Sequence, residues 1–309
     1  MKYLLYDIKY YEQFFKQFAG FMYFVFLAKL HGFTLVLPKF RTLAKNANNY
    51  TIRGGEQVYY SWDVFYDLER IKREYNVITL DEFVDSKMDI DIDIVLYLDE
   101  SVIKDQNVNI SDLSLPYIEK KKTNYKIERE AFGKYNVIAI CGTTYQLPFG
   151  SNNYFNIRKQ IRYKDEFYRE IDHFLTQQQI SDYIAVHWRQ TDFLGARRGR
   201  NILRTPKQIV SHCKAVMQEK NIQHVYIATD SKHKEYLSYL EQNLPLIKYS
   251  KPNTDRYVFA VLESILCAKA TYFYGTETSL YSINICGERL HLGKDYTQKY
   301  VPGDDDIES

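Results

Sequence analysis

The chain has 309 residues, of which 45% are hydrophobic and 26% are charged, proportions typical of a globular protein with a buried core. A chain of about 300 residues exceeds what one hydrophobic core ordinarily serves, so two domains are predicted. The 41 basic and 39 acidic side chains leave a net charge of only +2, which argues against nucleic acid as a partner.

Four cysteines are scattered along the chain and form no C-x-x-C pair, so a zinc site is not expected. They are Cys141, Cys213, Cys267 and Cys286. Their number leaves open one or two disulfides or none. The most apolar segment, residues 18–28, is shorter than the roughly 20 residues that a spanning helix needs. We therefore predict no membrane span, and no signal peptide at the N-terminus, because Asp7 interrupts its apolar start.

The first half of the chain begins with a strand–helix–strand pattern. Residues 3–8 and 33–37 predict apolar strands, and a Phe-rich helix is predicted from about Glu12 to Leu30. This βαβ order is typical of a parallel sheet. Further strands are predicted at 76–80, 93–98 and 137–141.

Two stretches of the first half show no regular pattern that we interpret as helix or strand. Residues 41–75 are predicted to be irregular, and residues 99–125 to be polar and mobile. Asp89, Asp91 and Asp93 have the spacing of a metal-binding D-x-D pattern. Because isoleucines alternate with them, a strand edge is the favoured interpretation and a metal site is not expected.

The second half alternates regularly between strands and helices, which indicates a second doubly wound α/β unit. The predicted strands are 183–188, 225–228, 247–249 and 271–274. The predicted helices are 157–178, 206–219, 232–243, 255–269 and one that begins near Leu280. The domain boundary is predicted in the segment 148–153, with residues 1–152 in the N-terminal domain and 153–309 in the C-terminal domain.

Polar side chains follow three of these strands where each strand ends. They are His187, Arg189 and Asp192, then Thr229, Asp230 and Ser231, and finally the run 275–279. Ligands of open α/β sheets bind beyond the carboxyl ends of the strands, and a guanidinium there suits a phosphate. The alternative is a buried histidine beside a surface arginine.

The run 275–279 resembles a phosphate cradle, because a glycine and hydroxyl side chains precede the amino end of a predicted helix. No Walker A motif and no G-x-G-x-x-G occurs, so P-loop hydrolysis and Rossmann dinucleotide binding are weak fits. Glu263 could accept hydrogen bonds from a guanine edge, and Glu12 lies where the first strand gives way to a helix. Either carboxylate could instead be an ordinary helix acid.

The segment Val-His-Trp-Arg-Gln-Thr-Asp-Phe, residues 186–193, resembles the His-x-Arg-x-x-Asp signature of the fucosyltransferase superfamily. The similarity is strongest to the protein O-fucosyltransferase family, in the branch that modifies thrombospondin type 1 repeats. It extends in order along most of the chain, through segments 3–8, 34–38, 61–68, 225–230 and 267–276 and the pair Glu288-Arg289.

This resemblance implies a GT-B fold, with two Rossmann-like doubly wound domains and the active site in the cleft between them. It implies inverting, metal-independent transfer of fucose from GDP-fucose to a Ser or Thr hydroxyl of a folded, thrombospondin-repeat-like protein acceptor, without a cofactor. Arg189 would stabilise the GDP leaving group, Glu12 would be the general base and Glu263 would read the guanine. The other implied donor-binding residues are Gln13, Phe14, Phe15, His187, Asp192, Asp230, Ser279, Leu280 and Tyr281.

The sequence departs from the family pattern at three places. The family loop Glu-Gly-Phe-Asn is replaced by residues 12–15, Glu-Gln-Phe-Phe; Glu263 replaces an Asp; and Leu280 replaces a Thr. Because these changes remove polar donors, two alternatives stay open. One is a GT-B transferase with another nucleotide sugar or a non-protein acceptor; the other is a catalytically weak nucleotide-sugar-binding homologue.

The compartment is left open by the sequence. The family implies the lumen of the endoplasmic reticulum if a leader has been removed, and otherwise the cytoplasm is expected. The chain ends in Asp-Ile-Glu-Ser, which is not a retention signal.

Overall fold

The structure is a computed structural model that describes residues 1–8, 14–43, 57–86, 91–98, 100, 103–104, 106–111, 113–143, 145–190 and 204–302. The chain divides into two units, Met1–Arg162 and Tyr163–Ser309. Within the described ranges, no helix combines the length and the apolar character needed to cross a membrane.

The first unit is built on a mixed sheet whose strands run in the order β5-β2-β1-β10-β6-β9-β8-β7. The strands of the sheet are β1 (Tyr3–Ile8), β2 (Thr34–Leu37), β5 (Val77–Thr79), β6 (Ile92–Tyr97), β7 (Ile103–Lys104), β8 (Asn107–Ile110), β9 (Leu113–Lys122) and β10 (Val137–Thr143). All neighbours from β5 to β9 are parallel, and β8 and β7 add an antiparallel edge. A separate hairpin is formed by β3 (Phe40–Leu43) and β4 (Gln57–Tyr60).

The helices of this unit begin with a long apolar one that follows β1. They are α1 (Phe14–His31), α2 (Leu68–Glu74), α3 (Leu80–Ser86), α4 (Tyr125–Lys134) and α5 (Asn152–Arg158). The aromatic residues of α1 account for its burial: the Phe18 and Tyr66 rings are 4.9 Å apart, and those of Phe21 and Trp62 are 4.3 Å apart. Aromatic pairs at these distances stabilise a core beyond the area that they bury.

Two predictions for the first unit were wrong. Within the segment 41–75, the described residues include β4, a short 3-10 turn and α2, whose Asp67 N-cap accepts a hydrogen bond from the Arg70 amide. Within 99–125, β9 is a ten-residue strand in which half-buried and exposed residues alternate. The period-2 pattern of Leu113, Leu115 and Tyr117 is the strand signal that the lysine run obscured.

A buried ion pair lies at the carboxyl end of β1. Asp7 is 6% exposed, and its Oδ2 lies 3.3 Å from Nη1 of Arg41 without accepting an aligned hydrogen bond. Nη2 of Arg41 donates to the carbonyl of Ile8 at 2.6 Å. Burial raises the pKa of Asp7 from 3.8 to about 6, although the Arg41 charge acts in the opposite direction. Below about pH 6 the folded protein therefore favours the protonated carboxyl group of Asp7.

This raised pKa predicts a pH-dependent contribution to stability. Between pH 4 and 6 the folded chain holds a proton on Asp7 that the unfolded chain has lost, so the stabilisation present at low pH disappears as the pH rises through about 6. We expect Asp7→Asn to remove this decline, which amounts to roughly 3 kcal/mol at 1.36 kcal/mol per pKa unit. Urea unfolding at several pH values measures it. The exposed Asp85→Asn should reproduce the wild-type profile, and an Asp7→Asn profile parallel to wild type would contradict the prediction.

The second unit has a three-stranded parallel sheet, in the order β12-β11-β13, among its described residues. The strands are β11 (Tyr183–Trp188), β12 (His224–Thr229) and β13 (Tyr272–Tyr274), and the helices are α6 (Asp165–Gln177), α7 (Pro206–Lys220), α8 (Lys234–Asn243), α9 (Arg256–Lys269) and α10 (Leu280–His291). Ile184, Val186 and Trp188 pack into the core on the side of α7. Because side chains alternate along a strand, His187 points to the other face.

Most predicted elements of the second unit are confirmed, with two corrections. Of the predicted helix 157–178, only residues 165–177 form a helix of this unit, α6, and residues 157–158 end α5 of the first unit. The predicted strand 247–249 does not form; instead, Leu246 makes a single bridge to Val225. The question of disulfides is also answered, because the four cysteines are buried free thiols.

Candidate active site

The carboxyl ends of the three strands of the second unit lie side by side. In the sheet register, Trp188 pairs with Thr229 and Val186 pairs with Tyr274. The polar residues that follow each strand are therefore brought to one edge of the sheet, as the sequence predicts.

Arg189, which follows β11, is held by its neighbours on both sides. Its Nε lies 3.2 Å from Oδ2 of Asp230, and both side chains are largely buried, at 16% and 19% exposed. Its backbone N–H donates to Oγ1 of Thr276 at 2.9 Å. The other oxygen of Asp230 accepts the amide of Gln190 at 2.7 Å. This arrangement fixes a cationic group at the sheet edge, and an ion pair through Nε gives the guanidinium plane a defined direction.

His187 connects β11 to the start of α10. Its Nδ1 lies 2.7 Å from Oγ of Ser282, which also accepts the amide of Thr276 at 2.9 Å. The hydroxyl of Thr276 donates to the His187 carbonyl at 2.7 Å. The ring of His187 meets that of Tyr281 edge to face at 4.8 Å. These contacts tie the first turn of α10 to the sheet edge beside Arg189.

The turn that leads into α10 requires a glycine for steric reasons. A Cβ on Gly275 would lie 2.8 Å from both Cβ and Oγ of Ser282, closer than carbon atoms approach without a shift of the backbone. Thr278 takes the left-handed conformation with φ 60°, and the buried Ser279 precedes the helix without capping it through its side chain. The first amides of a helix lack acceptors within the helix and attract anions. This helix start therefore suits a phosphate close to Arg189.

Glu263 lies on α9 between two tyrosines. Tyr226 of β12 donates to its Oε1 at 2.9 Å, and Tyr281 donates to its Oε2 at 3.0 Å. Burial raises the pKa of Glu263, and the charge of Asp230 acts in the same direction, whereas the two phenol hydrogen bonds oppose the shift. The carboxylate is thus half-buried and oriented, and it interacts electrostatically with Asp230 of the Arg189–Asp230 pair.

Comparison with known proteins decides the family. The model of the GDP-fucose protein O-fucosyltransferase family matches residues 13–292, which is most of the chain. The chain belongs to the GDP-fucose protein O-fucosyltransferase family. This confirms the family resemblance and the prediction of a glycosyltransferase.

Two curated members of this family give the degree of divergence. GDP-fucose protein O-fucosyltransferase 2 of Caenorhabditis elegans is 24% identical over 310 aligned residues, which cover 77% of this chain and 71% of the relative. The Homo sapiens protein of the same name is 29% identical over 124 residues, or 38% of this chain and 28% of the relative. The chain is therefore a divergent member.

Solved structures confirm the GT-B fold. The crystal structure of POFUT1 in complex with GDP-fucose superposes with a TM-score of 0.72 and 14% identity, and covers 97% of each chain. That of the NodZ α-1,6-fucosyltransferase soaked with GDP-fucose has a TM-score of 0.51 at 14% identity, and covers 93% of this chain and 92% of that one.

Nine of the twelve implied site residues are described. In the second unit of this O-fucosyltransferase family member, five of them form direct contacts with one another: Arg189 with Asp230, His187 with Tyr281, and Tyr281 with Glu263. The remaining two of that unit, Ser279 and Leu280, stand at the amino end of α10. Glu12, Gln13 and Asp192 lie outside the described residues.

The two described site residues of the first unit begin α1. Phe14 is 1% exposed, and its ring lies 4.7 Å from both Phe40 and Phe65. Phe15 is half-buried beside it, with ring centroids 5.1 Å apart. Phe14 thus belongs to the aromatic core of the first unit, and its donor-binding role remains a prediction.

Tyr226 and Ser282 hold the site together, and the sequence interpretation missed both. Tyr226 lies on the face of β12 that His187 shares through the pairing of His187 with Ala228. Ser282 follows the run 275–279 by one helical turn. Residues two apart on a strand lie on the same face, so the sequence places Tyr226 on the same face of β12 as Ala228. Only the register of β12 against β11 shows that this face also carries His187.

Proposed function

We propose that this chain transfers fucose from GDP-fucose to a Ser or Thr hydroxyl of a protein acceptor, with inversion at the sugar and without a metal. The observation that carries the proposal is the position of Arg189, which is held by Asp230 beside the amino end of α10. A fixed guanidinium and a helix start together provide donors for a diphosphate. The family, whose model is named for GDP-fucose, supplies the choice of donor.

In this proposal the second unit holds the donor. Arg189 and the first amides of α10 bind the diphosphate and offset the charge that develops on the departing GDP, which lowers the barrier to cleavage of the sugar–phosphate bond. Glu263 accepts hydrogen bonds from the guanine edge. Because Asp230 and Thr276 fix Arg189 before the donor binds, little reorganisation is needed in the transition state.

Glu12 is the proposed general base. It removes the proton of the acceptor hydroxyl while the oxygen attacks the anomeric carbon of fucose from the face opposite GDP. A single displacement of this kind inverts the anomeric configuration and needs no covalent intermediate. The cation at the leaving group is an arginine, so the proposal assigns no step to a metal ion.

Transfer assays with Glu12→Gln test the base. With a chelator present, we expect the wild type to transfer fucose from GDP-fucose to a protein acceptor, and Glu12→Gln to lose roughly 10²–10⁴-fold of that rate, the usual contribution of a general base. The GDP affinity, measured by calorimetry, should change little in the variant. Loss of GDP binding would contradict the base role, and a wild type that prefers ADP or UDP to GDP would overturn the donor.

One observation favours a second candidate, a transferase with another nucleotide sugar. An apolar Leu280 begins α10, where the family pattern has the hydroxyl side chain of a Thr. A screen of GDP-, UDP- and ADP-sugars separates the two candidates, because only the first requires guanine selectivity.

A further inference from the structure

Each carboxylate oxygen of Glu263 accepts a hydrogen bond from one tyrosine hydroxyl. A tyrosine hydroxyl carries a single hydrogen, and Tyr226 directs its hydrogen to Oε1 of Glu263 at 2.9 Å. The Tyr281 oxygen is within reach of two acceptors, Oε2 of Glu263 at 3.0 Å and the carbonyl of Ala260 at 3.1 Å. Of these two acceptors the carboxylate is the stronger one, because hydrogen bonds to a charged group are stronger than those to a neutral carbonyl. The Tyr281 hydrogen is therefore assigned to Glu263.

With one phenol on each oxygen, the carboxylate is held in one orientation. A carboxylate oxygen has two lone-pair sites, so each oxygen of Glu263 keeps one further acceptor site after it has accepted a phenol. The two remaining sites form a pair of adjacent acceptors. The guanine edge offers two adjacent donors, N1–H and the 2-amino group, whereas adenine presents one donor beside an acceptor. A fixed pair of acceptors thus distinguishes the two purines.

The partial burial of Glu263 gives the two phenols their importance. A carboxylate removed from water favours its neutral form, which carries a hydrogen on one oxygen and cannot accept on both sides. The two phenol hydrogen bonds favour the ionised form, and Tyr226 is itself only 4% exposed. Loss of either hydroxyl would leave one carboxylate oxygen without its phenol partner, so the carboxylate could rotate or take up a proton.

We propose that Tyr226 and Tyr281 are positioning residues for base selection, and that their hydroxyls hold Glu263 as a paired acceptor for guanine. The inference rests on the proposed function, in which Glu263 reads the base of the donor. It gives Tyr281 a role distinct from the phosphate-loop role that the family resemblance implies.

Calorimetric titration of Tyr226→Phe and Tyr281→Phe with GDP, IDP and ADP tests the proposal. IDP lacks the 2-amino group and therefore offers one donor in place of two. The wild type should bind GDP about tenfold more tightly than IDP, which corresponds to one good hydrogen bond. In each variant the Kd for GDP should rise about tenfold and the GDP-to-IDP ratio should approach one, with ADP binding unchanged.

Tyr183→Phe is the matched control. Tyr183 also has a buried phenol, which donates to the carbonyl of Leu266 at 2.6 Å and not to Glu263. Its loss should lower stability but leave the GDP-to-IDP ratio at the wild-type value, so a ratio that falls in all three variants would overturn the positioning role.

Glu263→Gln separates this inference from the function on which it rests. If Glu263→Gln loses the preference for GDP while both Phe variants keep it, the positioning role is wrong and the proposed function stands. If the wild type shows no preference for GDP over ADP, the proposed donor is wrong and the positioning role falls with it.

Discussion

Arg189→Ala is expected to reduce fucose transfer by about 10³-fold or more, since single arginines and oxyanion donors that stabilise a leaving group contribute 10²–10⁵. The side chain is 16% exposed and is paired through Nε with Asp230. Its charge is thus held in place and partly shielded from water. A charge shielded in this way acts more strongly on a developing anion. GDP binding should weaken as well, because the diphosphate is already charged in the bound state.

Arg189→Lys tests whether geometry matters in addition to charge. Lysine keeps the positive charge but lacks the planar fork, so it cannot contact Asp230 and a phosphate in one plane. We expect Arg189→Lys to recover part of the GDP affinity while transfer stays well below wild type. Equal recovery of the GDP affinity and of the transfer rate would show that only the positive charge is needed.

The control for both variants is Arg169→Ala, because Arg169 is an exposed arginine on α6. Initial rates of transfer from GDP-fucose and calorimetric GDP affinities are the measurements. Near-normal transfer by Arg189→Ala, with Arg169→Ala also active, would show that another group stabilises the leaving GDP.

The fully buried strands were predicted accurately from the sequence, whereas a half-exposed strand was missed. Every residue of β11 is buried, so its run of apolar residues predicted both ends of the strand. The same holds for β1. By contrast, β9 is half-exposed along its length, and its Glu-Lys-Lys-Lys end resembles a solvated loop. The hydrophobic pattern of a single sequence reflects the burial of its residues. A half-exposed strand therefore gives a weaker signal than a fully buried one.

The candidate site was predictable to the extent that strand ends are predictable. Arg189, Asp230 and Thr276 each follow a strand, and parallel strands bring such residues together. The Tyr226–Glu263 contact is different, because it joins the middle of a strand to the middle of a helix. It depends on the packing of α9 against β12, and no local pattern encodes that. The function of Glu12 came from the family resemblance alone.

Gly275→Ala is the second change for which we expect a large effect. The added methyl group would lie 2.8 Å from Cβ and Oγ of Ser282, and the Cβ atom cannot move away without its backbone. The first turn of α10 must therefore move away from the sheet. Overpacking of this kind costs typically 1–3 kcal/mol of stability.

The displacement of α10 would also disturb the proposed diphosphate site. Oγ of Ser282 accepts the Thr276 amide and lies 2.7 Å from His187, and the Thr276 hydroxyl accepts the amide of Arg189. A shift of α10 would thus disturb both the helix start and the arginine proposed to bind the diphosphate. We expect the Kd for GDP to rise by roughly 10–100-fold, or about 1.4–2.8 kcal/mol.

Gly133→Ala is the matched control, because a Cβ on this exposed glycine of α4 would meet no atom within 4 Å. Inside a helix, alanine is favoured over glycine by roughly 0.5–1 kcal/mol, so this variant should be slightly more stable and bind GDP as the wild type does. Thermal unfolding and calorimetric titration of both variants make the comparison. If Gly275→Ala loses stability but keeps its GDP affinity, the start of α10 does not hold the diphosphate, and the anion site must depend on Arg189 without the helix.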